Sequence, residues 1–144
     1  MANYYGFTRT NHFSVTDPEK LTQIVNRIRW DEGELIFLAE EDGRFCFGAY
    51  SAICGLVKPA EEADSGCDDD EYEPESVYAA LQEIVAPDDA IIITEVGFEK
   101  LRYLTAYAMV ITRDGANCVE LRGEALNKAQ AMLHNPQYAT KMEY

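Results

Sequence analysis

Two Asp-Gly pairs, Asp42-Gly43 and Asp114-Gly115, each sit between runs of apolar and aromatic residues. Asp-Gly tolerates the left-handed backbone of a two-residue turn, so each pair predicts two antiparallel strands joined tightly. Glu34 to Glu40 and Arg44 to Ile53 make one hairpin; Tyr103 to Thr112 and Asn117 to Leu121 make the other. Gly48, inside a strand, predicts a bulge or a close approach of backbones. Phe7 to Val15 reads as a further strand. Ala90-Ile-Ile-Ile-Thr94 is a short unbroken apolar run, the mark of a central strand covered on both faces or tightly packed.

Three segments carry helical spacing instead. Thr16-Asp-Pro-Glu19 combines a Thr cap, a proline in the first turn and Glu three residues after the cap. Leu21, Ile24, Val25 and Ile28 then fall on one face, and Trp30 with Asp31-Glu32-Gly33 closes the helix. Val77, Ala80, Leu81, Ile84 and Val85 form a second stripe, stopped by Pro87. Leu126, Ala129 and Leu133 form a third, from Glu124 to about Leu133, before Pro136. The order β-α-β-β-α-β-β-β-α predicts an α+β fold, a mostly antiparallel sheet of about five to six strands with three helices. A chain of 144 residues that is 47% apolar fits one domain over 1–144.

Charge divides this chain unevenly. Between Lys58 and Lys100 lie fourteen acidic residues and no Lys or Arg, while the rest holds twelve acids against twelve bases. That one segment therefore supplies the whole net charge of −14. Nine of the fourteen fall in residues 61 to 75, within a Pro-, Gly- and acid-rich stretch at 59–75 that reads as a loop free to move. Glu73 and Glu75 also lie at the N-terminus of the second helix, where they complement its dipole. A field so localised has a direction. It opposes direct binding to nucleic acid and favours a basic protein surface, including a groove built to hold nucleic acid. The candidate partner-binding residues are Asp64, Asp68, Asp69, Asp70, Glu71, Tyr72, Glu73 and Glu75, with Tyr72 an aromatic anchor among the carboxylates.

No signature of catalysis stands beside this charge. There is no G-x-S-x-G, P-loop or G-x-G-x-x-G, and His12 and His134 lie far apart with no metal-ligand spacing. The acidic stretch fails the EF-hand pattern from Asp64 and from Asp68, because position 6 of that loop is then Asp69 or Glu73 instead of glycine. Neither a metal nor a cofactor is expected. Glu95, next to the Ile91-Ile92-Ile93 run, is the one acid whose burial would raise its pKa toward acid–base chemistry. Its plainer reading is a strand-end acid paired with Lys100 or Arg102. Cys46 and Cys118 read as core thiols and Cys67 as exposed, with no C-x-x-C. The chain shows no secretory leader and no apolar run long enough for a membrane span, so a cytoplasmic protein is expected.

The stretches Thr8-Arg-Thr-Asn-His-Phe-Ser-Val-Thr-Asp17, Phe47-Gly-Ala-Tyr50 and Glu95-Val-Gly-Phe-Glu-Lys-Leu-Arg-Tyr103 resemble small acidic accessory proteins of bacterial mobile elements. That resemblance brings a context of antirestriction and anti-CRISPR inhibitors and no active-site residue. Together with the charge it implies a non-enzymatic, DNA-mimicking or groove-blocking inhibitor of a host defence nuclease. The alternatives are an immunity protein against a basic toxin nuclease, an enzyme with a site near Glu95, and a dimerisation module. The sequence leaves the oligomeric state open.

Overall fold

In a computed structural model, which describes residues 5–31, 36–57, 73–99 and 103–140, the hairpins and helices appear in the expected order. The elements are β1 (Tyr5–Thr10), α1 (Pro18–Arg27), β2 (Ile28–Trp30), β3 (Phe37–Glu41), β4 (Arg44–Ala49) and β5 (Ile53–Leu56). They continue with α2 (Pro74–Ile84), β6 (Ile91–Glu99), β7 (Tyr103–Thr112), β8 (Gly115–Glu120) and α3 (Leu121–Met132). Six strands pair antiparallel in the order β3-β4-β1-β6-β7-β8, and β2 pairs with β5 in a separate ribbon. The class is α+β.

The first hairpin turns as its Asp-Gly demands. Asp42 (φ 52°) and Gly43 (φ 78°) are both left-handed, and Glu41 faces Arg44 across the turn. In the second hairpin the turn residues are Arg113 and Asp114, neither of them left-handed, and Gly115 opens β8 opposite Thr112. The strand therefore begins two residues before the expected Asn117.

Helix α1 is capped by Asp17, whose carboxylate accepts the Lys20 N–H at 3.1 Å, and not by Thr16. This shift puts Pro18 at the first helical position, where its missing N–H leaves no bond unmade. The Thr16 hydroxyl instead donates to the Ile84 carbonyl at 3.3 Å, tying the start of α1 to the end of α2. The helix stops at Arg27. Ile28, which shares the helical stripe, belongs to β2 and pairs with Leu56, while Trp30 pairs with Ile53. Strand β4 likewise ends at Ala49, so the apolar run to Ile53 is two strands in two different sheets.

Helices α1 and α2 and the β2–β5 ribbon bury their apolar sides against one face of the large sheet. Leu21, Val77, Leu81, Phe13, Phe47, Ile91 and Ile111 are wholly enclosed there. Each such side chain contributes roughly 1.5–3 kcal/mol relative to exposure. Helix α3 differs. It buries no residue; Leu126 and Ala129 are half-covered and Leu133 is exposed, so the third stripe is no part of the core. Its end is a Schellman turn, with His134 left-handed (φ 53°) and Asn135 N–H donating to Gln130 O at 3.0 Å. No helix among the described residues is long and apolar enough to cross a membrane.

Strand β1 is interrupted at Asn11. From Arg9↔Gly48 to the Phe13↔Phe45 bridge, β1 advances one residue more than β4, which makes a bulge. The Asn11 carboxamide fills the gap on the other side, accepting from Ile92 N–H at 2.8 Å and donating to Ala90 O at 3.0 Å. Opposite Arg9, Gly48 permits the expected close approach: a Cβ there would lie 2.5 Å from the Thr8 carbonyl oxygen and 3.0 Å from the Phe37 ring. Gly48→Ala is therefore expected to destabilise the fold by about 1–3 kcal/mol in urea unfolding. Gly115→Ala, where a Cβ meets nothing within 4 Å, is expected to stay within about 0.5 kcal/mol of the parent.

Candidate functional site

Among the described residues, several acids between Lys58 and Lys100 are engaged by the fold, whereas Glu73, Glu75 and Asp88 are exposed. Glu83 pairs with Lys20 at 3.1 Å across α2 and α1. Asp89 accepts the N–H groups of Ser14 and Ala90, each at 2.8 Å, and faces Arg44 at 3.2 Å. Its partial burial alone would raise its pKa, but the two backbone donors and the guanidinium outweigh that and hold the carboxyl below its ordinary value. Both acids are tied into the fold.

Glu95 is also internal. It lies in the middle of β6, between Thr8 of β1 and Tyr107 of β7, and is only 7% exposed. The expected strand-end position is thus corrected; Lys100 and Arg102 lie outside the described residues. Tyr107 is hydrogen-bonded to Glu95 and to Tyr78, which reaches over from α2. Burial, and then the Glu95 charge, push the Tyr107 hydroxyl far above its usual range. Burial likewise raises Tyr78. Cys54, at the irregular point of the β2–β5 ribbon, is raised by burial and by Asp31 despite Arg29 nearby. Phenols and thiols held protonated are poor nucleophiles and bases at neutral pH. This cluster reads as a hydrogen-bonded chain from Tyr78 through Tyr107 to Glu95, in which the Tyr107 hydroxyl serves the carboxylate.

The other reactive types are dispersed. His12 is exposed at the bulge, 3.6 Å from Glu41, and His134 is exposed beyond α3. Cys46 is buried as expected, but Cys118 is exposed on β8, the edge strand of the sheet. It lines a cavity of about 340 Å³ with Tyr107, Glu120 and Arg122 at the end of β8. Among the described residues no three His, Cys, Asp or Glu side chains converge as metal ligands.

Of the expected partner-binding residues, Asp64, Asp68, Asp69, Asp70, Glu71 and Tyr72, like Cys67, lie outside the described residues. Glu73 and Glu75 are exposed at the start of α2. Glu73 is its N-cap without a side-chain bond, so its carboxylate is not consumed by the helix; its carbonyl accepts the Ser76 hydroxyl at 2.6 Å. The ends of the acidic segment meet. Leu56 N–H donates to the Ser76 hydroxyl at 3.1 Å, and Val57 exchanges bonds with Arg27, accepting from Nε at 2.9 Å and donating to the carbonyl at 2.8 Å.

A second surface lies on the other side of the large sheet. In β1 the outward positions are Tyr5, Phe7 and Arg9, and the inward ones Gly6, Thr8 and Thr10. β6 presents Ile92, Thr94, Val96 and Phe98 outward. Phe7 packs edge-on against Tyr50 at 5.3 Å, and Arg9 lies over Phe37 at 6.0 Å. Together they line a groove of about 580 Å³. The signal for this face was present in the sequence as an inverted alternation at residues 5–10 and apolar residues at both parities of β6. No family model, no curated protein and no solved structure matches this chain, so both surfaces are read from their own chemistry.

The titrations set the pH limits of stability. The depressed Asp89 carboxyl stabilises the fold above its unfolded pKa, and that contribution is lost as pH falls below about 4. Asp89→Asn should cost about 1.5–3 kcal/mol at neutral pH, and the difference from the parent should shrink in acid unfolding titrations. The raised Tyr107 and Tyr78 act in the opposite sense. Their contribution is complete below the unfolded tyrosine pKa and is lost as pH rises beyond about 10. Tyr107→Phe should cost about 1–3 kcal/mol at neutral pH by leaving Glu95 a donor short, and should flatten the alkaline limb.

Proposed function

We propose that this is a non-enzymatic acidic binding protein whose segment 61–75 docks on a basic protein surface of the kind that holds nucleic acid. It then acts by occupying that groove, as an inhibitor of a nucleic-acid-handling enzyme such as a host defence nuclease. The observation that carries this reading is the division of charge. Glu83, Asp89 and Glu95 are engaged by the fold and Glu73 and Glu75 are exposed, while the sequence sets nine acids with no intervening base between Leu56 and Ser76, which are bonded to each other. Duplex DNA carries one negative charge per roughly 1.7 Å of axis, so nine carboxylates on one short segment compete for the same cationic residues. The bond between Leu56 and Ser76 fixes both ends of this stretch, and a stretch with fixed ends costs less to order on docking than a free tail. Exposed charge alone adds little affinity; Tyr72 supplies an aromatic anchor within it.

The test uses purified nucleases with basic grooves, a CRISPR effector and a restriction endonuclease among them. Binding is expected to be competed by duplex DNA and weakened by salt. It should be lost in D68K/D69K/D70K, a variant that leaves the thermal unfolding midpoint unchanged. Affinity that survives this triple reversal, or that salt does not weaken, overturns the proposal.

A further inference from the structure

We infer that the open face of the six-stranded sheet is a homodimer interface, in which two copies pack face to face about a two-fold axis. The inference is independent of the acidic segment. On β1, β6, β7 and β8 the outward positions carry one formal charge, Arg9, in a protein where 26% of residues are charged. That charge is itself laid over the Phe37 ring.

Area favours a second copy. Nine large apolar side chains on this face are 36–55% exposed, from Ile92 at the low end to Tyr50 and Leu104 at the high end. With roughly 150–250 Å² for a whole large side chain, their open surface is on the order of 700–800 Å². A specific interface needs about 800 Å² from each partner, and isolated monomers rarely leave a patch this size open. The face suits sheet-on-sheet packing, because Ala106 and Ala108 on β7 are small and let a second sheet approach to about 10 Å.

Charge selects the same occupant. A molecule of net charge −14 repels its own copies, so a self-interface must lie where the field is weakest. The acidic segment leaves and re-enters the helix layer, at Leu56 and Ser76, on the opposite side of the large sheet. Two copies joined through their outer faces therefore hold Leu56 and Ser76, which flank the acidic run, on the far sides of the assembly. An anionic membrane offers no such relief.

Sedimentation velocity on the full chain over a concentration series tests this. The expected species has about twice the 16.2 kDa chain mass, and sulfate should stabilise it. Val96→Lys, at an exposed central position, should weaken the dimer at least about tenfold without changing the unfolding midpoint. Phe7→Lys should act in the same way. D68K/D69K/D70K should leave the dimer intact, which separates this interface from the proposed docking segment. A monomer at every concentration overturns the inference, as does a dimer indifferent to both lysine variants. A dimer lost with Met132→Lys moves the contact to α3 and also overturns it. So does a monomer that pellets with neutral phosphatidylcholine vesicles unless Val96 is replaced.

Discussion

Strand β1 is the piece on which the large sheet depends. The β3–β4 hairpin and the β6–β7–β8 meander touch in the sheet only through it, since β4 pairs with β1 and β1 with β6. Its partners are distant, with Tyr5 opposite Phe98 and Thr10 opposite Ile93. Such pairing is slow to form because a long loop must close before any contact rewards it. The side chains around β1 reduce that cost by fixing the join at one point. Asn11 continues the β6 ladder where the strand bulges. Asp89 clasps Ser14, just beyond the bulge, and Arg44, at the start of β4. The Val15↔Val85 bridge then locks the same connection to the end of α2.

What could be read from the sequence was what local chemistry decides. Asp42-Gly43 specifies its turn through the backbone alone, and Leu21, Ile24 and Val25 specify a buried helical side. The misreadings occur where one residue serves two patterns. Ile28 continues the α1 stripe by spacing yet belongs to a strand, because the residue after Arg27 finds a partner in Leu56. Ile53 extends the apolar run of β4 yet leaves its sheet, because Ser51 is buried there, its carbonyl accepting the Thr8 hydroxyl at 2.7 Å. The apolar Ala90–Thr94 run does lie in a central strand, but with a core on one side only.

The same limit applies to the candidate sites. Glu95 was recognisable as unusual, but its environment is made by Tyr107 from the next strand and Tyr78 from α2. No spacing within residues 91–99 encodes either neighbour. Charge was legible in amount and not in availability: Glu83 and Asp89 count equally with Asp68 in the sequence, and only the fold shows that Lys20 and Arg44 face the first two.

The inverted alternation of β1 ties these observations together. Placing Thr8 and Thr10 inward and Tyr5 and Phe7 outward is the reverse of what burial favours. The inward half costs little, because each hydroxyl is satisfied: Thr8 donates to Ser51 O at 2.7 Å, and Thr10 accepts the Phe47 N–H at 3.0 Å, replacing a ladder bond lost near the bulge. These hydroxyls therefore help shape the join between β1 and β4. The outward half has no such compensation within the monomer. Exposed Tyr5 and Phe7 give up transfer energy that the core would have supplied, and neighbouring Phe98 and Val96 do the same on β6. A fold that satisfies its buried polar groups while leaving its aromatics in water is incomplete on its apolar side. The outward positions of β1, β6, β7 and β8 carry Arg9 as their one formal charge, so covering the open face adds little repulsion and removes a large uncompensated apolar surface.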